Sequence, residues 1–343
     1  MKVSIILDVR SEAWKIAEWG KLAEKYDIEG VWLSSLMNAK DPFLNLSLLA
    51  RDTKRIRLGP IAISPYEIHP IRIAMSILTL HEISGGRAMI VIGGGGTIAK
   101  SIGVDLTNHK KIRRVRTVRE CVEIVKKASI GEEVNFEGEI FKVYGFKAKW
   151  APKEELPVYV AANEPKMLRM TCRVADGVMV TDIPPEYIGK MVGRIKEEVK
   201  NAGRDLAKFK ITNFYAWHVK KDYNEALKEA KIYLPVRGAE RPYIAQTIGL
   251  TQEEFEIYLK NHEKLMKLMR EGKPPEGVPE ETLNKIAEGV TIVGQTDKLD
   301  ECLEKLYRFK REGVDEIALR IYGDPTDSIK LIGEKVVPYL QDS

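Results

Sequence analysis

Four consecutive glycines, Gly93-Gly94-Gly95-Gly96, precede Thr97 in this 343-residue chain. Such a run lets backbone approach a flat ring or a phosphate with no side chain between them, and it reads equally as a flexible loop. A second segment, Ala161-Ala162-Asn163-Glu164-Pro165, puts a proline near the start of a helix, so that free N–H groups would face an anion such as a cofactor phosphate. The same residues also read as an ordinary helix start, with Asn163 as cap and Glu164 offsetting the macrodipole and partly opposing an anion. Thr181 is placed to face a pocket, whereas Asp182 beside it reads as the beginning of a turn. Ile61-Ala62-Ile63-Ser64 supplies the small and apolar groups that suit a wall behind a planar ring, although most of that stretch reads equally as core.

Other chemistries have thinner support. Asp8 and Asp182 are the obvious carboxylates at strand ends, and no histidine accompanies them, so no metal centre is expected. Ser34-Ser35 lacks the glycine-flanked elbow and an identifiable base for acyl transfer. His69 before Pro70 reads as a capping or packing residue, and His81 and His109 are similar. Trp217 and His218 alternate on one strand, so one faces inward and the other outward. Cys121, Cys172 and Cys302 stand singly, without disulfide or metal-ligand spacing, and are expected as free thiols.

The elements that must position these residues alternate between short β-rich runs and helical periods, which implies a parallel sheet with helical crossovers. Strands are expected at residues 3–7, 30–34, 57–64, 88–93, 157–161, 177–181, 210–219 and 316–321, eight in all. Helical segments include 12–26, 42–53, 71–83 and 111–128, and 134–144 reads as a hairpin laid over the sheet. Residues 226–289 are too long for one crossover helix and, with a break at Lys273-Pro274-Pro275, read as a helical insertion before the last β/α unit. The fold class is therefore α/β, a (β/α)8 TIM barrel in one domain over 1–343, with its active site at the carboxyl ends of the strands. An open doubly wound sheet would carry a glycine fingerprint after its first strand, where Asp8-Val9-Arg10-Ser11 stands instead.

The 55 basic and 50 acidic residues leave a net charge of only +5, scattered along the chain, so nucleic acid is not the expected partner. Residues 1–8 lack the basic flank and longer apolar region of a signal peptide, and no run reaches the roughly 18 apolar residues of a membrane span. A cytoplasmic enzyme with a small-molecule substrate and no membrane partner is expected. The abundance of Lys and Glu over Gln matches a balance seen in thermophile proteins.

Several of these segments carry a family pattern. Arg55-Ile56-Arg57-Leu58-Gly59-Pro60, His69-Pro70, the run Leu80-His81-Glu82-Ile83-Ser84-Gly85-Gly86-Arg87, and Ile92 with its four glycines resemble the bacterial luciferase-like oxidoreductases. So do Val160-Ala161-Ala162-Asn163-Glu164-Pro165 with Ala175-Asp176-Gly177, and Ile292-Val293-Gly294-Gln295-Thr296 followed by Gly313-Val314-Asp315-Glu316. The resemblance covers nearly the whole chain outside the insertion. It is nearest to the branch that uses the deazaflavin coenzyme F420, which includes methylenetetrahydromethanopterin reductases and secondary-alcohol and sugar-phosphate dehydrogenases.

That resemblance implies a ring near the barrel centre, backed by a bulge in the third strand with a non-prolyl cis peptide at Ile61–Ala62. It implies that backbone of residues 161–164 holds the cofactor phosphate, that the chemistry is hydride transfer, and that the protein forms a homo-oligomer, dimer or tetramer. FMN is the alternative cofactor, with a monooxygenase or reductase activity. A cofactor-binding protein without catalysis is the third reading, because the family's acids are missing. Ser35-Leu36 replaces an Asp-His pair after strand two, Gly96 replaces an acid after the glycine run, and only Asp8 lies near the acidic positions after strand one. Asp8 and Ser35 are left as the catalytic candidates.

Overall fold

The computed structural model describes residues 1–105, 107 and 113–342. His109 and the first two residues of the helix expected from 111 lie outside them. The alternation of apolar residues resolves into strands β1 (Lys2–Leu7), β2 (Gly30–Ser34), β3 (Arg57–Ile61), β4 (Ile90–Ile92), β5 (Val134–Glu137), β6 (Lys142–Phe146), β7 (Val158–Ala161), β8 (Gly177–Thr181), β9 (Lys210–Lys220), β10 (Thr291–Gln295) and β11 (Glu316–Arg320). β5 and β6 form the expected hairpin. The other strands make one sheet in the order β3-β2-β1-β11-β9-β8-β7-β4, and bridges at Leu58–Ala88 and Ile63–Ile92 join β3 back to β4. Every pairing within that sheet is parallel, and the result is the (β/α)8 barrel.

One strand exceeds the expected eight. β9 is 11 residues long. Its residues 212–216 pair with β11, and its continuation beyond the barrel, residues 216–220, pairs with β10. A strand that outgrows the ring leaves unpaired backbone groups, and β10 satisfies them. Between β9 and β10 the insertion consists of helices Tyr223–Tyr233, Pro242–Thr247, Gln252–Arg270 and Glu280–Val290. None of the helices among the described residues is long and apolar enough to cross a membrane.

Side chains divide by the two-residue period of the strands. Ile5, Leu7, Val31, Leu33 and Leu58 pack outward beneath the helices, whereas Ile6, Trp32, Ile61, Met89, Val91, Tyr159, Met179 and Ala318 fill the barrel interior. Helix starts follow local chemistry. The Asp41 carboxylate accepts the Leu44 N–H at 3.0 Å ahead of Pro42, and His69 Nδ1 accepts the Ile71 N–H at 3.3 Å ahead of Pro70.

The β3–β4 seam is irregular. Between its two bridges β3 advances from Leu58 to Ile63 while β4 advances from Ala88 to Ile92, so β3 carries one extra residue. That is a β-bulge, and it turns two successive side chains, Ile61 and Ala62, toward the interior before Ile63 returns to the outer core. The bulge implied by the family pattern is present, but the cis peptide is not: the described residues contain no cis bond. The extra residue of β3 reorients the chain.

Gly59 permits the seam to close. A Cβ on residue 59 would lie 2.0 Å from the Met89 carbonyl oxygen and 3.0 Å from the Trp32 ring. Backbone cannot yield as a flexible side chain can. Gly59→Ala should therefore lower unfolding stability by about 2–4 kcal/mol, the upper range for overpacking, measured by denaturant titration. Gly193→Ala, in a helix interior where a Cβ would meet open space, is the matched control and should raise stability by up to about 1 kcal/mol.

Candidate cofactor site

A cavity of about 740 Å³ opens at the carboxyl ends of β4, β7 and β8. Gly94, Gly96, Ala161, Ala162, Asn163, Glu164 and Thr181 line it, all of them expected from sequence, together with Arg113, Arg114, Arg116, Lys166 and Arg241, which were not. Glu164 is the one acidic residue in that lining. The other expected residues do not line the cavity. Ile61, Ile63 and Ser64 are buried beside it. Gly93 lies between Ala62 and Ala161, since a Cβ there would stand 2.9 Å and 3.6 Å from their methyl carbons. Ala62, Gly93 and Ala161 thus form a shelf of small groups at the top of the barrel interior.

The glycines divide their work. Gly95 adopts φ 85°, and a side chain on it would collide with Ser64 and Ala99, so its task is to turn the chain into helix Gly96–Ser101. Gly94 leaves room for an arginine, because a Cβ there would sit 2.7 Å from Arg114 Cδ. Asn163 does not cap the helix that follows. Its amide instead donates to the Thr181 carbonyl at 2.9 Å and hydroxyl at 3.1 Å and accepts the Thr181 N–H at 2.9 Å, tying the ends of β7 and β8 together. Glu164 occupies the cap position of helix Pro165–Val174 without a side-chain cap bond, so first-turn amides remain free where Lys166 and Met167 meet the cavity.

The cations come from three elements, with Lys166 on helix Pro165–Val174 beside those below. Helix Arg114–Ser129 begins at Arg113, which has φ 42°, and has no acid in its first turn. Arginines at a helix amino end oppose the macrodipole, so helix stability does not account for them. Arg113 and Arg116 pair with Glu139. Arg114 Nε is buried without a hydrogen-bond partner, a donor awaiting an acceptor. Arg241 comes from the insertion and donates to the Thr181 carbonyl at 3.2 Å. The insertion is anchored close by, where Arg237 Nη1 donates to Asp182 Oδ1 at 3.0 Å with both side chains buried. Burial pushes the Asp182 carboxyl up to about 6, although Arg237 and Arg241 hold it down.

Neither catalytic candidate lines the cavity. Asp8 accepts the Arg10 N–H at 3.0 Å and faces guanidinium groups of Arg10 at 3.5 Å and Arg320 at 3.9 Å, so its carboxylate is engaged. Ser35 donates to Glu67 Oε2 at 3.1 Å, which introduces an acid that sequence reading passed over. His218 is the inward member of its pair and Trp217 the outward one. His218 stacks on Tyr322 at 4.8 Å, meets Glu229 at 3.1 Å through Nδ1, and is held below its usual pKa by burial. His81 is buried, with Nε2 at 3.2 Å from the Glu154 carbonyl. All three thiols are buried, and burial raises Cys172 to about 12 and Cys302 to about 11.

One signal could have found the arginines. Arg113-Arg114-Val115-Arg116 is a basic cluster at a helix start, against the usual charge preference. Arg241 carried no such signal, because only the folded insertion brings it to β8.

A barrel with a cationic cavity beside free helix amides, at the carboxyl ends of its strands, has the form of an enzyme site suited to an anionic ligand. The chain belongs to the luciferase-like monooxygenase family, whose model matches residues 7–316. A 5,10-methylenetetrahydromethanopterin reductase of Archaeoglobus fulgidus is 28% identical over 345 residues, covering 99% of this chain and 100% of that protein. One from Methanopyrus kandleri is 27% identical over 344 residues, covering 96% and 95%. The solved structure of a coenzyme F420 dependent tetrahydromethanopterin reductase from Methanopyrus kandleri superposes with a TM-score of 0.81 at 25% identity, covering 99% of this chain and 100% of that one.

The Asp182–Arg237 pair has a testable charge balance. Arg237→Met strands a buried carboxylate and should cost about 3–5 kcal/mol of stability near pH 8. Without Arg237 the folded-state pKa of Asp182 moves still higher than about 6, against an ordinary value of 3.8. The carboxyl then takes up a proton in the folded state as pH falls. The deficit should therefore shrink toward about pH 5, and Asp182→Asn in the same chain should remove most of it at every pH. Denaturant unfolding of the three proteins across that range checks this.

Proposed function

We infer that this protein is a coenzyme F420-dependent oxidoreductase that moves a hydride between the deazaflavin and a small organic substrate. We further propose that the substrate is a reduced pterin carrying a one-carbon unit, as the names of its full-length relatives say of them. The observation that carries the cofactor reading is the cavity, where an unpartnered buried Arg114 Nε, free first-turn amides and Arg241 converge beside a shelf of small residues. A group with a flat ring and an anionic side chain fits both parts.

In this reading Arg114, Arg241, Lys166 and the amides after Pro165 hold the anionic side chain, and Asn163 and Thr181 keep the two strand ends in register around it. Ala62, Gly93 and Ala161 form the surface against which the ring lies. When bound, the deazaflavin supplies or accepts the hydride. The protein contributes orientation and exclusion of water from the apolar interior formed by Ile6, Trp32, Ile61 and Met179. The substrate approaches from the open side of the strand ends, where β1 and β2 contribute Asp8 and Ser35. Homo-oligomerisation and a cytoplasmic location remain part of the proposal, with the helices of the barrel as the contact surface.

Titration of the purified protein with F420 and FMN under matched salt and pH tests the cofactor reading, and F420 should bind more tightly. Preference for FMN would move the protein to a flavin-dependent reductase or monooxygenase, and binding without turnover would make it a cofactor carrier. Arg114→Gln and Arg241→Gln should each weaken F420 binding about tenfold or more, since a charge-assisted hydrogen bond contributes roughly 1.5–3 kcal/mol. Each should also flatten the salt dependence of binding, and unchanged affinity in both would remove the anion site.

A further inference from the structure

Hydride transfer to a methylene-bearing or carbonyl substrate requires a proton as well, and the acids found at the family's usual places are absent here. Ser35-Leu36, Gly96 and an engaged Asp8 stand there instead. Three titratable groups near the strand ends are candidates to replace the missing acids. His218 is fully enclosed between Tyr322 and Glu229. Asp182 is committed to Arg237. Glu67 is different.

Glu67 lies in the turn that follows the β3 bulge, where its N–H donates to the Ser64 carbonyl at 3.0 Å. Ser64 in turn abuts Gly95, at the edge of the glycine loop, with its Oγ 2.8 Å from where a Cβ on Gly95 would be. On the other side Ser35, whose own N–H donates to the Ile61 carbonyl at 2.7 Å, presents its hydroxyl to Glu67 Oε2 at 3.1 Å. The side chain is therefore fixed between the segments that follow β2 and β3, at the carboxyl ends of the strands. Its second oxygen, Oε1, is buried and has no hydrogen-bond partner. An acceptor in that condition is costly as a bare carboxylate, and it is relieved either by a proton or by a donor brought in by a ligand. Burial raises the carboxyl above its ordinary range, opposed only by the Ser35 hydroxyl and a backbone bond at Ser64. No charged side chain contributes to that shift.

We propose that Glu67 is the proton donor for the reduction, positioned by Ser35, and that this pair takes the place of the family's missing acids. This rests on the functional reading above. As the hydride arrives at the substrate carbon, the bond from that carbon to its nitrogen or oxygen gives up an electron pair to the heteroatom. The heteroatom takes the proton from Glu67. The substrate is reduced, the deazaflavin is oxidised, and the carboxylate regains its proton from solvent. In the oxidative direction the same carboxylate accepts the proton. Ser35 is a positioning residue: it holds Oε2 so that the proton resides on Oε1.

The test combines turnover with a measurement on the unloaded protein. Purified wild type, Glu67→Gln, Glu67→Asp and Ser35→Ala would be assayed with reduced F420 and methylenetetrahydromethanopterin, with F420 affinity and melting temperature measured alongside. Glu67→Gln should lower kcat by about 100-fold or more, the usual range for loss of a general acid, with F420 affinity and melting temperature nearly unchanged. It should also abolish the fall in kcat on the alkaline side, which Glu67→Asp should keep and Ser35→Ala should displace. In apoprotein labelled with carbon-13 at glutamate carboxyls, Glu67 and the buried Glu316 should both titrate above the usual glutamate range, and only the Glu67 resonance should vanish in Glu67→Gln. Turnover and a pH profile like those of wild type in Glu67→Gln would overturn the proposal, as would a drop in melting temperature with kcat intact, which marks a merely structural link. A wild type that binds F420 yet reduces no such substrate would instead overturn the functional reading and this role with it.

Discussion

Where β3 meets β4, the Met89 carbonyl oxygen stands where a side chain on residue 59 would begin. That contact, open only to glycine, brings the two strands close enough to bridge at Leu58–Ala88, and the extra residue of β3 then lets them bridge again at Ile63–Ile92. The mouth of the barrel depends on this seam. Because of the bulge, Ile61 and Ala62 both face inward, and Ala62 comes beside Gly93 and Ala161 to make a surface free of long side chains. The turn after the bulge carries Ser64 and Glu67, so the same irregularity sets the loop against Gly95 and brings a carboxyl to Ser35.

Electrostatics at the cavity are arranged at some cost to local stability. Helix Arg114–Ser129 starts with arginines in place of the acids its dipole favours, and with Arg113 in a left-handed conformation. Thr181 is the meeting point: it bonds Asn163 of the β7 loop and Arg241 of the insertion, while its neighbour Asp182 anchors that insertion through Arg237. The insertion is thereby part of the site, since its buried ion pair fixes the segment that delivers Arg241. A buried pair of this kind contributes little net stability but is expensive to break, which suits a contact whose work is alignment.

Much of the barrel was legible along the chain. Residues 30–34 and 177–181 form strands with the expected bounds, and the hairpin, the insertion and the glycine loop stand where composition and spacing put them. The ninth strand was not among the eight counted, although residues 292–296 carried the resemblance to the family's last β/α unit; its place, paired with the overlong end of β9, came from the fold. Of the expected cofactor residues, Gly94, Gly96, Ala161, Ala162, Asn163, Glu164 and Thr181 share one cavity. Gly93, Gly95 and the residues from Ile61 to Ser64 shape its surroundings. Asn163 was readable as polar and well placed, but its bonds to Thr181 cross between strands and leave no local mark. Glu67 was passed over for a similar reason: a glutamate in a turn is ordinary until Ser35, 32 residues away, is brought to its carboxyl.

Local rules alone thus determined the class of fold, since short apolar β-rich runs joined by helical periods pack as a parallel sheet, and the absence of a glycine fingerprint after the first strand favours the closed barrel, whose strand ends mark where chemistry occurs. The glycine run, Asn163-Glu164-Pro165 and the family pattern also lay within short windows of residues. Only tertiary structure decided which strand-end residues share a cavity, which arginines line it, which of Trp217 and His218 faces inward, and that Glu67 keeps an unpartnered oxygen beside Ser35. Those outcomes depend on contacts between residues far apart in the chain, where burial and pairing, rather than residue type, set the charge and the availability of each group.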